Sequence, residues 1–186
     1  MTLRGCNWFG RTMQVGFVGW FTLALTGCGK PMADLDRMAA EGSIDSAAPV
    51  TAHVQVAVHA PAERVWSVLV DLPSWPRWQQ GIESVSGPPL SLGSTFVWAT
   101  GGTKIQSEVR SFQPTHRLSW TGKAYTAKAV HVWTLTALAP DWTRVAVDES
   151  MEGPLMAKLF SSQQLQKADT DWVRALKQQA ETAPPR

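Results

Sequence analysis

Three kinds of hydrophobic pattern follow one another along the chain. Residues 15–27, Val-Gly-Phe-Val-Gly-Trp-Phe-Thr-Leu-Ala-Leu-Thr-Gly, form an uncharged, mostly apolar run. Residues 29–50 mix Gly, Pro, Ala, Ser and Asp without a period, with room for a helical turn or two at Met32–Ala40, and read as a tether. His53–Val58 alternates, placing Val54, Val56 and Val58 on one face as a half-buried strand does. Ala60-Pro61-Ala62-Glu63 starts a helix on which Val65, Trp66 and Leu69 share a face. Pro73 and Pro76 forbid its continuation and leave a second short helix. From Ile82 the period becomes two, giving strands at Ile82–Val85, Ser94–Ala99, Thr103–Phe112, Leu118–Thr121, Lys128–Leu138 and Thr143–Met151. From Pro154 to about Thr182 it is helical again, with Leu155, Leu159, Leu165, Ala168, Trp172 and Leu176 on one stripe.

The order is therefore strand, two short helices, six strands and a long helix. Short loops favour antiparallel neighbours, and the last helix must bury its stripe against the sheet. The class is α+β, a curved antiparallel seven-stranded sheet around a long C-terminal helix. Strand parity then separates the two faces. Phe96 and Trp98 point inward, as do Ile105, Ser107 and Val109, while Lys104, Gln106, Glu108 and Arg110 point to solvent. Leu118 and Trp120 join the inner set, followed by Ala129, His131, Trp133 and Leu135, then Val145, Val147 and Glu149. Trp172 of the last helix closes the space.

Composition alters this picture in two places. The chain has ten tryptophans against one tyrosine; parity sends Trp98, Trp120 and Trp133 to one interior, and the stripe of the last helix brings Trp172 to it from the other side. Charge matters through its location. Residues 1–14 carry Arg4 and Arg11 and no acid, ahead of an apolar run too short to span a bilayer, which describes a signal peptide over residues 1–27. Leu25-Thr26-Gly27-Cys28 resembles the bacterial lipoprotein lipobox, which implies cleavage before Cys28 and lipidation of its thiol. Gly29 after the cysteine implies, by the same resemblance, the periplasmic side of the cell envelope, at the outer membrane in a Gram-negative cell. Losing Arg4 and Arg11 brings the 17 basic residues down to equal the 15 acidic ones, so nothing global recruits nucleic acid. Cys6 leaves with the signal, and no disulfide remains possible. The expected organisation is signal peptide 1–27, lipidated N-terminus and tether 28–50, folded domain 51–182 and tail 183–186.

Several segments carry a family resemblance. These are Val56-Ala57-Val58-His59-Ala60-Pro61-Ala62-Glu63-Arg64-Val65-Trp66, Asp71-Leu72-Pro73-Ser74-Trp75-Pro76-Arg77-Trp78 and Leu92-Gly93-Ser94-Thr95-Phe96. Pro114-Thr115-His116-Arg117-Leu118-Ser119-Trp120, His131-Val132-Trp133-Thr134-Leu135, and Thr143-Arg144-Val145 running on to Glu149-Ser150-Met151-Glu152-Gly153 continue it. Over roughly residues 50–182 the sequence resembles the START-like/SRPBCC superfamily, in its polyketide cyclase/dehydrase and lipid-transport branch. The resemblance implies a helix-grip fold and an internal cavity for a hydrophobic small molecule or lipid. Its lining would be Phe96, Trp98, Ile105, Ser107, Val109, Trp120, His131, Trp133, Leu135, Val147, Glu149 and Trp172. It also implies that Trp66, Trp75 and Trp78 serve packing.

His131 and Glu149 are the candidates for chemistry, because an acid/base pair in an apolar pocket suits dehydration, cyclisation or proton abstraction beside a carbonyl. The expected function is a membrane-tethered carrier or sensor of a hydrophobic ligand. The alternatives are an enzyme using those two residues and an envelope interaction module with a filled core. The histidines at 53, 59, 116 and 131 show no metal-ligand spacing, and no Walker loop, dinucleotide fingerprint or Gly-x-Ser-x-Gly occurs, so neither cofactor nor metal is expected.

Overall fold

The computed structural model describes residues 29–182, so the apolar run, Cys28 and the tail at 183–186 lie outside the described residues. Helix α1 (Met32–Glu41) precedes strand β1 (Val50–Val58), helix α2 (Ala62–Val70) and the short α3 (Trp75–Trp78). Strands β2 (Ser84–Ser86), β3 (Thr95–Thr100), β4 (Thr103–Gln113), β5 (Arg117–Ala124), β6 (Ala127–Ala139) and β7 (Trp142–Glu152) follow. One turn, α4 (Met156–Leu159), leads into α5 (Ser162–Thr182). No described helix is long and apolar enough to cross a membrane.

The seven strands form one antiparallel sheet in the order β1-β7-β6-β5-β4-β3-β2. Consecutive strands pair through hairpins from β2 to β7, and β1 closes the far edge against β7. The chain crosses from one edge to the other through α2 and α3, which supply Val65, Trp66, Leu69 and Trp75 to the core. Helix α5 lies against the concave face and buries Leu165, Trp172, Val173, Leu176 and Ala180. This is the helix-grip α+β architecture expected from the order of elements.

Three local expectations differ from the structure. The segment read as a tether is docked: α1 packs Leu35 and Ala39 on Val130 and Val132 of the convex face. The helix ends at Gly42 in a left-handed conformation, with its N–H on the Ala39 carbonyl and the Ser43 N–H on that of Met38. A side chain at Gly42 would also collide with the Arg117 guanidinium, whose Nη1 donates to the Glu41 carbonyl at 3.2 Å. Polar partners complete the dock. Ser119 donates to the Ala39 carbonyl at 2.6 Å and Thr121 to Asp36 at 2.8 Å.

The second difference follows from the first. Arg110 meets α1 rather than open water, and Glu108 pairs with Arg110. Arg110 Nε lies 3.0 Å from Asp36, and its Nη1 lies 2.7 Å from Glu108. Arg110 sits where the β4–β5 register shifts between Val109 and Ser111. Beyond that bulge the inward position on β4 is Phe112, which packs edge-on against Trp66.

The third concerns the C-terminal helix, which does not run back to Leu155. Ser161 starts α5 afresh, its Oγ accepting from the Gln164 N–H at 3.2 Å while Gln164 Oε1 accepts from the Ser161 N–H at 2.9 Å. That reciprocal pair is a capping box. It detaches Leu155 and Leu159 from the apolar stripe and leaves both exposed.

Candidate functional site

Register alone assembles the centre of the concave face. Val109, Trp120, His131, Glu149 and Ala52 lie in one row across five strands. Beside it run Phe96, Ser107, Gly122 and Ala129 on one side, and Leu118, Trp133, Val147 and Val54 on the other. Every residue expected on the inner face is therefore on it. Phe96, Ser107, Val109, Trp120, His131, Trp133, Leu135, Val147, Glu149 and Trp172 are buried. Trp98 and Ile105, a cross-strand pair, are half-buried at the rim, where Trp98 donates to Ser107 Oγ at 3.0 Å.

The interior is densely aromatic. Trp75 stands at its hub, its ring centroid 5.8 Å from Phe96, 5.9 Å from Trp120 and 5.3 Å from Trp172. Its N–H is satisfied by the Leu69 carbonyl at 2.9 Å, which fits the packing role expected of it. Trp172 further contacts Trp98 at 5.4 Å and Trp133 at 5.6 Å. A separate groove of about 260 Å³ lies among Val70–Pro73 and Gly87–Pro89, outside this centre, and touches none of the residues above.

Within the aromatic shell sits a polar cluster. His131 Nδ1 lies 3.0 Å from Glu149 Oε2, and donor atoms of His131, Glu149 and Asp169 all fall within 4.8 Å of one another. Trp120 stacks on the imidazole at 4.5 Å, Trp133 lies parallel at 5.5 Å, and Trp172 approaches edge-on at 5.3 Å. Asp169 reaches in from α5. The sequence reading missed it by placing Ala168 on the buried stripe, whereas Ala168 is exposed and Asp169 buried. The signal was available, since Asp169 stands four residues after Leu165 and three before Trp172, on the same helical face.

Burial sets the protonation of all three groups. It drives the imidazole of His131 down to about 4, against the pull of the Asp169 and Asp148 carboxylates. It raises Glu149 to about 7, opposed by a hydrogen bond with Asp169. Asp169 is raised to about 8, first by burial and then by repulsion from Glu149. At neutral pH His131 is thus uncharged, and burial of Glu149 beside Asp169 favours a proton held between the two carboxyls.

Four polar atoms around this point lack a hydrogen-bond partner: His131 Nε2, Asp169 Oδ2, and the indole Nε1 of Trp133 and of Trp172. They offer both donors and acceptors to a small polar group. The three side chains also form a set capable of ligating a metal ion, which the histidine spacing in sequence does not reveal.

The family model "Polyketide cyclase / dehydrase and lipid transport" matches residues 49–181. A Helicobacter pylori hypothetical protein is similar in structure, with TM-score 0.69 and 18% identity over 84% of this chain and 97% of its own. The Zhui aromatase/cyclase of a Streptomyces species aligns at TM-score 0.58 and 17% identity, over 70% of this chain and 94% of its own. A START superfamily protein of Mycobacterium smegmatis aligns at 0.56 and 18%, over the same shares of 70% and 94%. Among curated proteins no sequence matches.

Proposed function

The chain belongs to the polyketide cyclase/dehydrase and lipid transport family, and from that premise we propose that it binds an amphipathic small molecule or lipid between the sheet and α5. The aromatic face takes the apolar body of the ligand, and the cluster of His131, Glu149 and Asp169 takes its polar group.

The observation that carries this reading is the set of unpartnered buried atoms at the cluster. An unsatisfied buried polar group costs about 1–3 kcal/mol, so a core selected for stability alone has no use for several at one point. A hydroxyl or carbonyl satisfies them: the first donates to His131 Nε2, and the second accepts from an indole N–H. Because the indoles pack against one another, admission requires one of them to move. Trp98 is the candidate, being half-buried at the rim and in contact with Trp172.

We further propose that the protein is a lipoprotein, held on the periplasmic side of a membrane through lipidated Cys28, where it acts as carrier or sensor. The basis is the sequence of residues 4–28, and the benefit is proximity to membrane-dissolved ligands. Native mass spectrometry of the protein taken from its own envelope tests the ligand. A co-purifying mass of lipid size is expected, and an interior that stays empty through ligand screening sinks the reading.

One observation favours a second reading, an enzyme of the cyclase or dehydratase kind. An imidazole and two carboxyls, those of His131, Glu149 and Asp169, have donor atoms within 4.8 Å of one another in an apolar interior. Burial moves the carboxyls up toward neutrality, where acid/base groups work best. Turnover unaffected by His131→Ala and Glu149→Gln removes it.

A further inference from the structure

The N-terminal end of the described chain is fixed rather than loose. Gly29 lies so close to Glu152 that an added Cβ would fall 2.6 Å from its carboxyl carbon. The Lys30 N–H donates to Glu152 Oε2 at 3.0 Å, and Lys128 Nζ bridges Glu152 Oε1, at 2.9 Å, and the Lys30 carbonyl. Lys30 Nζ then pairs with buried Asp45 at 3.3 Å. Cys28 is one peptide unit from Gly29, a span of about 3.8 Å. On the proposed reading of Cys28, a lipid there would have little slack, and it would bring the protein surface around Glu152 to the bilayer.

That end of the sheet carries exposed apolar side chains. The β5–β6 turn presents Tyr125, 94% exposed, and Gly153 packs against the Thr126 carbonyl oxygen within 3.0 Å of where its Cβ would be. Immediately after Gly153 come Leu155, 55% exposed, and Leu159, 73% exposed, the residues that the capping box released from the helix stripe. Lys123 and Lys158 are exposed beside them, whereas the acids nearest Gly29, Glu152 and Asp45, are buried and paired. Tyrosine, leucine and flanking lysine are what a bilayer interface with anionic headgroups accepts.

We propose that Tyr125, Leu155 and Leu159 form a bilayer-docking face that sets the orientation of the domain on the membrane. The inference rests on the reading of Cys28 as the lipidated residue.

The test uses the full lipidated chain, purified and reconstituted into vesicles of phosphatidylethanolamine and phosphatidylglycerol. An environment-sensitive fluorophore is placed at Tyr125→Cys, at Leu159→Cys, or at Leu138→Cys as a control at the opposite end of the sheet. Quenching by lipids carrying a spin label is expected to be several-fold stronger at 125 and 159 than at 138. A paired Leu155→Ser, Leu159→Ser variant, altered only at exposed positions, should keep its attachment but lose the contrast at 125. Equal quenching at all three positions, on a chain that Cys28→Ser releases from membranes, overturns the docking face and spares the anchor. Attachment that survives Cys28→Ser overturns the anchor, and the quenching contrast then decides the face alone. A chain with no lipid on Cys28 and no affinity for the vesicles overturns both.

Discussion

His131 and Glu149 stand directly opposite each other on β6 and β7, Nδ1 to Oε2 at 3.0 Å, in the middle of a sheet face otherwise covered by indole rings. Asp169 completes the group from the facing helix. Two acids and one imidazole buried together cannot all adopt their usual charge states, so the cluster becomes a store of protons whose filling is tied to folding.

The sign of that link follows from the shifts. Glu149 and Asp169 titrate near 7 and 8 when folded, against ordinary values of 4.5 and 3.8. The folded state therefore binds more protons than the unfolded from about pH 4 to about pH 8, and stability falls as pH rises through that window. His131 acts in the opposite sense, but only between about 4 and 6.5, where the unfolded imidazole takes a proton the folded one refuses. Above 6.5 the acids act alone, so the melting temperature is expected to decline toward pH 8. Asp169→Asn keeps a donor toward Glu149 and removes one titration. Its decline should be shallower, and above about pH 8 it should melt higher than the wild type. A wild-type melting temperature that climbs between 6.5 and 8 contradicts the assignment.

The aromatic shell separates structural from gating indoles. Trp75→Ala empties the hub and is expected to cost about 3–5 kcal/mol in urea denaturation. Trp98→Ala removes a half-buried ring at the rim, with an expected cost of about 1–2 kcal/mol. The same change should accelerate uptake of an apolar dye in stopped-flow fluorescence. Equal costs at the two positions, with no change in uptake, count against Trp98 as the movable ring.

Leu35 tests whether residues before β1 belong to the folded unit. Its side chain is fully buried on Val130 and Val132, so Leu35→Ala should cost about 2–5 kcal/mol. A loose tether predicts a change within about 0.5 kcal/mol. Equilibrium unfolding of the two chains distinguishes these outcomes.

Cys28→Ser is expected to move the protein from the membrane fraction to the soluble fraction of the envelope. If Cys28 carries two or three acyl chains as proposed, their loss would leave the proposed docking face too little apolar area for stable attachment. Fractionation followed by mass analysis of the N-terminal peptide reads both location and lipid.

The element order and the inner face were legible because both rest on period. Alternation assigned Phe96, Trp120, His131 and Glu149 to one side, and Pro73 and Pro76 marked the break between α2 and α3. What period could not show was which surfaces meet. Helix α1 buries only Leu35 and Ala39 fully, with Met32 and Met38 partly covered, in an otherwise polar segment, so its burial depends on Val130 and Val132, more than 90 residues away. The clue lay in that partner: Val130 and Val132 are apolar on one face while Trp133 and Leu135 are apolar on the other, the mark of a strand covered on both sides. Asp169 was hidden because a charged residue on an apolar stripe is normally counted as a boundary. The restart of α5 was readable, since Ser161 and Gln164 have capping-box spacing, but the apolar series through Leu155 and Leu159 masked it.

Because β6 feeds side chains alternately into the core under α1 and the core under α5, its central amides are shielded from both directions. Hydrogen exchange at Val130 to Leu135 should then proceed only when the whole domain opens, whereas the short edge strand β2 exchanges through local fraying. His131 sits on that slowest segment. A ligand that reaches its imidazole would be read out by the part of the molecule with the least freedom to respond locally, so binding there would appear as a rise in global protection rather than as a change confined to the site.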